Sequence, residues 1–171
     1  MKADDPRLEK AGQEMIERIK KYDERVLTVI KNHLGCEDFL SRLLSAAGRR
    51  WKNRQFAGKL DVAKEINPPE IEEPVWNLLN AGNKLRNAVA HGHEESKIAA
   101  MMADLRKAYL AALTPSQAKH AEVLDDTQMV VLAFGHCGAY LVVATEAVKD
   151  RRKRAEKKRR IDVNAVTAQQ D

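Results

Sequence analysis

The residues with the clearest capacity for chemistry lie together in the string Asn83-Lys84-Leu85-Arg86-Asn87-Ala88-Val89-Ala90-His91-Gly92. Leu85, Ala88 and Val89 can face a core, which leaves Arg86, Asn87 and His91 to supply a fixed cation, an amide and a titratable ring near a helix end. A guanidinium stays charged at any relevant pH and binds two phosphate oxygens at once, so it can stabilise charge that grows in a transition state. An imidazole titrates near neutrality and can take a proton from a ribose 2′-hydroxyl or give one to a leaving oxygen. Asn87 could orient the imidazole or the phosphate. Chemistry of this kind acts on RNA, because DNA lacks the 2′-hydroxyl nucleophile, and it needs no metal and no other cofactor. Asn87 and His91 are four apart and share a face, whereas Arg86 and His91 stand about 140° apart on a helix of 3.6 residues per turn. A groove between two such helices about a two-fold axis would align them better and would double the site. The competing reading is structural, with Arg86 paired to an acidic neighbour and His91 set against the C-terminal carbonyls of its helix.

The elements that must hold this string are helical. Leu8, Met15, Ile16, Ile19, Tyr22, Val26, Leu27, Val29 and Ile30 recur at three- and four-residue steps, which predicts an amphipathic helix of about 25 residues after Pro6. Gly35 permits a break or bend, after which Phe39, Leu40, Leu43, Leu44 and Ala47 form a second stripe ending at Gly48. The basic stretch GRRWKNRQ reads as a loop, and Phe56, Leu60, Ala63 and Ile66 fit a short helix stopped by Pro68-Pro69. Glu70, Glu72 and Glu73 then crowd the start of the motif helix, where carboxylates offset the positive end of the helix dipole. Pro74 suits its first turn and Gly92 its C-terminal stop. Another amphipathic helix follows over Glu94 to Leu113, and Thr114 with Pro115 opens a further one. No segment alternates with period two. The expected fold is therefore an all-α, up-and-down helical bundle of four to five main helices with a long C-terminal helix.

Charge divides the chain. Nine basic and two acidic residues fall between Lys149 and Arg160, which places +7 of a total +5 in twelve residues and leaves the rest near neutral at −2. The expected organisation is a helical bundle over 1–148, with the motif region at 38–113, followed by a basic C-terminal helical extension and disordered tail over 149–171. Hydrophobic residues at 44% suffice for a core, which excludes a wholly disordered chain. Cys36 and Cys137 form neither a disulfide framework nor a zinc spacing and read as buried thiols of a cytoplasmic protein. The N-terminal MKADDPRLEK lacks the apolar core of a signal peptide. Met129 to Val148 is apolar enough to resemble a tail anchor, but His136 and flanking glycines near its centre favour a buried or dimer-forming helix, so membrane association is unlikely on this reading. Gly135 and Ala139, four apart, would permit close helix approach.

At the end of an amphipathic helix in a small all-α chain, Arg86-Asn87-Ala-Val-Ala-His91 resembles the Arg-x4-6-His signature of the HEPN superfamily (higher eukaryotes and prokaryotes nucleotide-binding). It has the common form with Asn after Arg, and the chain is similar to the small prokaryotic members built from one domain. The similarity covers roughly Asp38 to Leu113. It implies a four- or five-helix bundle, usually a homodimer, and often a metal-independent endoribonuclease of toxin–antitoxin, phage-defence or RNA-processing systems. Arg86 and His91 then carry over as catalytic and Asn87 as supporting, with RNA as substrate and an antitoxin or regulatory protein as a further partner. Members paired with nucleotidyltransferase antitoxins carry Arg-x4-His-x-Tyr. Here the third position is His93, which speaks against that class of antitoxin.

Further RNA contacts are expected from Lys84 and His93 beside the motif, from Arg49, Arg50, Trp51, Lys52 and Arg54, which mix basic and aromatic character, and from Arg151, Arg152, Lys153 and Arg154 in the basic extension. His33, His120 and His136 have no partners at metal-ligand spacing and read as structural or exposed. A second class of function remains open: a noncatalytic helical binding or regulatory module that uses the motif structurally and the basic tail to hold nucleic acid or protein.

Overall fold

Residues 6–167 are described by a computed structural model of the chain. They form an all-α bundle of six helices: α1 (Pro6–Ala46), α2 (Phe56–Ile66), α3 (Glu73–Ala90), α4 (Glu95–Ala111), α5 (Pro115–Ala121) and α6 (Asp126–Thr167). The disordered tail expected at the end of the chain falls partly on 168–171, outside the described residues.

The break expected at Gly35 does not occur, and α1 is one helix of 41 residues. Gly35 is exposed, and a Cβ there would meet nothing within 4 Å, so no packing force bends the helix at that point. Its cost relative to alanine, about 1 kcal/mol, is too small to stop a helix buried on both sides of it. The stop comes at Gly48, where the Gly48 and Arg49 N–H groups donate to the Ser45 and Leu44 carbonyls and Gly48 takes φ +70°. This is the paired closure that a left-handed residue allows at a helix end. Thr114 and Gln117 close the start of α5 by reciprocal side-chain to backbone bonds.

Leu40, Leu43 and Leu44 of α1, Leu78, Leu79 and Leu85 of α3, Ile98 and Leu105 of α4, and Met129 and Leu141 of α6 make the fully buried centre. The first and last helices run in step. Arg25 lies near Asp126, the Cys36 thiol donates to the Phe134 carbonyl at 3.2 Å, and Arg152 donates to the Ala46 carbonyl at 2.7 Å. They are therefore parallel. The motif helix α3 runs against α1, since Asn83 and Arg86 neighbour His33 while Gly92 comes near Tyr22. Both cysteines are buried and unbridged, and burial pushes the Cys36 thiol up to about 12.

Two apolar surfaces stay uncovered in one chain. The core-facing stripe of α1 continues past the body through Tyr22, Ile19, Met15 and Leu8, all exposed. On α6, Leu132, Gly135, Ala139, Val142 and Val143 face outward. Among the described residues, α6 is the one helix long and apolar enough by length and composition to cross a membrane, and 44% of its apolar window is buried against the body. No break separates 148 from 149, because α6 carries the basic extension as one helix to Thr167.

One close approach ties this packing to the motif. A Cβ on Gly82 would stand 2.7 Å from Cε1 of Phe134, whose ring is buried. Gly82 is one turn ahead of Arg86, and the Phe134 ring meets the His33 ring edge-on with centroids 6.0 Å apart. Gly82→Val is expected to destabilise the fold by about 1–3 kcal/mol through overpacking. Chemical denaturation against the parent chain measures it, and a midpoint unchanged at equal slope would contradict the packing described.

Candidate active site

Glu73 and Pro74 open α3, and Val75, Trp76, Leu78, Leu79, Gly82, Leu85 and Val89 fasten one side of it to the core. That stripe turns Asn83, Arg86 and Asn87 toward the groove against α1 and the start of α2. The helix ends at Ala90, and His91 is its cap residue with φ −93° and ψ 5°. Gly92 follows at φ +61°, where the Gly92 and His93 N–H groups donate to the Val89 and Ala88 carbonyls. The Gly92 closure holds His91 at the mouth of the groove.

Arg86, Asn87 and His91 line one pocket of about 410 Å³ together with His33 and Glu37 of α1, Gln55, Phe56 and Ala57 at the start of α2, and Asn83. One chain thus brings the three motif side chains to a common cavity. The 140° offset between Arg86 and His91 does not separate them, because His91 lies beyond the last helical residue and the groove spans the difference.

The electrostatics of the pocket run against a purely structural role for Arg86. Its Nη1 donates to Asn87 Oδ1 at 3.1 Å, its Nε is buried with no protein acceptor, and it forms no ion pair among the described residues. The carboxylate on the same pocket, Glu37, is taken by Lys59, whose Nζ donates to it at 2.7 Å. A guanidinium beside a pocket with an unsatisfied buried N–H can donate to a further acceptor.

Sequence reasoning passed over the residue at the pocket's inner end. His33 is 1% exposed, and neither ring nitrogen has a protein partner in good hydrogen-bond geometry. Its ring packs on Phe56 at 4.4 Å between centroids. Burial first, and the Arg86 charge second, lower its pKa to about 4, while Glu37 and the nearby Asn83 side chain oppose the shift. The signal was in the sequence: His33 occupies a core position of the α1 stripe between Val29 and Cys36, with Glu37 one turn on.

The other expected RNA contacts scatter. His93 is exposed, its ring is 6.3 Å from that of His91, and its Nε2 is 3.5 Å from Lys97 Nζ. Lys84 is exposed and does not line the pocket. Arg49, Arg50, Lys52 and Arg54 are exposed on the α1–α2 loop, which runs into Gln55 at the pocket. Trp51 is half-buried there; its Nε1 donates to Ser45 Oγ at 2.7 Å, and the Lys59 ammonium stands 4.9 Å from the ring centroid. In the basic extension, Arg151 makes a two-pronged contact with Glu70, and Arg152 caps the end of α1, so both are engaged within the chain. Lys153 and Arg154 are exposed. The extension leaves the body at Ala46, some 9 to 13 residues along α1 from His33 and Glu37, or roughly 14–20 Å at helical rise. Among the described residues, no group of three or more His, Cys, Asp or Glu side chains is placed to hold a metal ion. The chain matches no family model, no curated protein and no solved structure.

Proposed function

We propose that the chain is a HEPN-type endoribonuclease that cleaves RNA without a metal. The observation that carries this reading is the shared pocket of Arg86, Asn87 and His91, with Arg86 in no ion pair among the described residues. In the reaction, the ribose 2′-oxygen attacks the adjacent phosphorus as His91 removes its proton. The bond to the 5′-oxygen breaks, and that oxygen takes a proton from water as it leaves. The products are a 2′,3′-cyclic phosphate and a 5′-hydroxyl end. Arg86 donates to the phosphate oxygens as their charge rises, and Asn87 fixes the guanidinium through the 3.1 Å bond. The test is incubation of the purified chain with a mixed pool of RNA in EDTA, with end-group analysis of the fragments. Cyclic phosphate ends, lost in His91→Ala, support the reading, whereas intact RNA in all metals and salts ends it.

The basic extension would act in delivery. Arg151 and Arg152 anchor it, and six basic residues follow them before Ile161. Truncation after Arg152 is expected to flatten the slope of log binding constant against log salt by about 2–4, at roughly 0.7 per phosphate contact on a single strand. The rate of cleavage at saturating RNA should not change. Fluorescence anisotropy across a salt series and single-turnover cleavage read the two separately.

A second reading, a noncatalytic helical binding module, is favoured by the uncovered apolar faces of α1 and α6. The same surfaces suit a cytoplasmic homodimer, with Gly135 and Ala139 allowing two α6 helices to approach closely. Equilibrium sedimentation of the parent and of Gly135→Leu decides whether that face associates.

A further inference from the structure

The pocket carries three features that the cleavage scheme leaves unused. His33 is buried with the Asn83 side chain beside it and neither ring nitrogen in good hydrogen-bond geometry with a protein partner. Arg86 keeps a buried Nε–H without an acceptor, although its Nη1 is occupied. The third feature is the start of α2. Gln55 is the residue before its first turn and provides no side-chain cap, while Phe56 and Ala57 of that turn line the same pocket. The first N–H groups of a helix have no partner within the helix and carry the positive end of its dipole.

A guanidinium N–H, an imidazole N–H and the first N–H groups of a helix can all donate to one acceptor with negative charge. Leaving a buried donor unsatisfied costs about 1–3 kcal/mol, and a charged one costs more. A tetrahedral oxyanion has enough lone pairs to accept from a guanidinium, an imidazole and helix N–H groups at once, and helix N-termini bind phosphate by this means. Among the described residues Glu37 forms no ion pair with Arg86, and its Oε1 accepts from Lys59 Nζ. A cavity of about 410 Å³ has room for a phosphate with its attached sugar.

We propose that the uncapped N-terminus of α2, the Arg86 guanidinium and the His33 imidazole form a phosphate subsite in this pocket. The subsite rests on the ribonuclease reading only for the carrier of the phosphate, an RNA strand, and not for the anion site itself. Bound phosphate turns His33 from a neutral buried ring into a charged donor. The groups that face His33 are Arg86 and the Asn83 amide from α3, Glu37 from its own helix with Lys59 of α2 held on that carboxylate, and the Phe56 and Phe134 rings of α2 and α6. Phosphate bound between Arg86 and His33 would cancel the repulsion between them.

The experiment follows the His33 ring by NMR as pH is varied in chloride, in inorganic phosphate at equal ionic strength, and with a 2′-O-methyl oligoribonucleotide that cannot be cleaved. Phosphate is expected to raise the His33 midpoint by about 1–2 units, the range that an adjacent opposite charge produces. His33→Phe keeps the ring packing and should weaken phosphate binding at least about tenfold. Ala57→Asp supplies a carboxylate at the exposed first turn of α2, a position that favours acidic residues, and should abolish the phosphate effect in a folded protein. A His33 midpoint that moves with neither phosphate nor oligonucleotide overturns the subsite, even if the same sample cleaves RNA. Movement with phosphate alone, in a protein that leaves RNA intact, upholds the subsite and removes RNA as its carrier. An equal response in Ala57→Asp overturns the part assigned to α2.

Discussion

Arg86→Ala is expected to slow RNA cleavage by about 10²–10³-fold while leaving the fold in place, the loss typical of removing one fixed donor to a developing oxyanion. The contrast between the two effects follows from what Arg86 touches. Its one side-chain bond is to the neighbouring Asn87, a contact of about 1 kcal/mol, and no ion pair is lost with it. The substitution also removes a charge that sits close to the neutral His33 and depresses its protonation. The melting temperature should therefore move by a few degrees at most. Arg86→Lys keeps the charge but not the planar fork, so it should recover only part of the rate. A structural role for Arg86 predicts the reverse pattern, with a large loss of stability and RNA intact in parent and variant alike. Single-turnover cleavage of a labelled RNA beside a thermal melt separates these outcomes, and cleavage at the parent rate in Arg86→Ala would remove the guanidinium from the mechanism.

The motif helix was legible because its signals are local. Three glutamates and Pro74 mark its start, an apolar stripe from Val75 to Val89 fixes its face, and Gly92 supplies the left-handed residue that ends it. The same holds for Gly48 and for Thr114 with Pro115. Gly35 misled because a glycine's meaning depends on its surroundings, and at this one there is only open space. The pocket itself could not be read, since His33 and Glu37 reach Arg86 across some fifty residues of chain through the antiparallel packing of α1 on α3. Arg151 and Arg152 looked equivalent to the other basic residues around them. Their contacts with Glu70 and Ala46, 81 and 106 residues away, distinguish them. Periodicity gives the face a residue occupies, and only tertiary packing decides what meets it there.

Packing of this kind also makes the stability of the chain depend on pH through His33. Its pKa falls from 6.5 in an unfolded chain to about 4 in the fold, because the imidazole is buried and lies near Arg86. Between those two values the unfolded chain binds the proton and the folded chain does not. The contribution of His33 to stability is therefore fully present above pH 6.5, falls as the pH drops toward 4, and levels off below it. At 1.36 kcal/mol per unit, the loss across that window is about 3 kcal/mol. His136, also lowered by burial, adds in the same direction, whereas Glu70 and Glu95, held below their usual range by Arg151 and Arg25, lose their contribution at lower pH. Urea denaturation in chloride at pH 7, 5.5 and 4.5 should thus show a steady fall that His33→Phe largely removes. Phosphate in the same series should reduce the fall, because an anion that raises the folded-state pKa narrows the gap from the unfolded value. Equal slopes for the parent and His33→Phe would mean that His33 is not held neutral in the fold, and the electrostatic account of the pocket would fail with it.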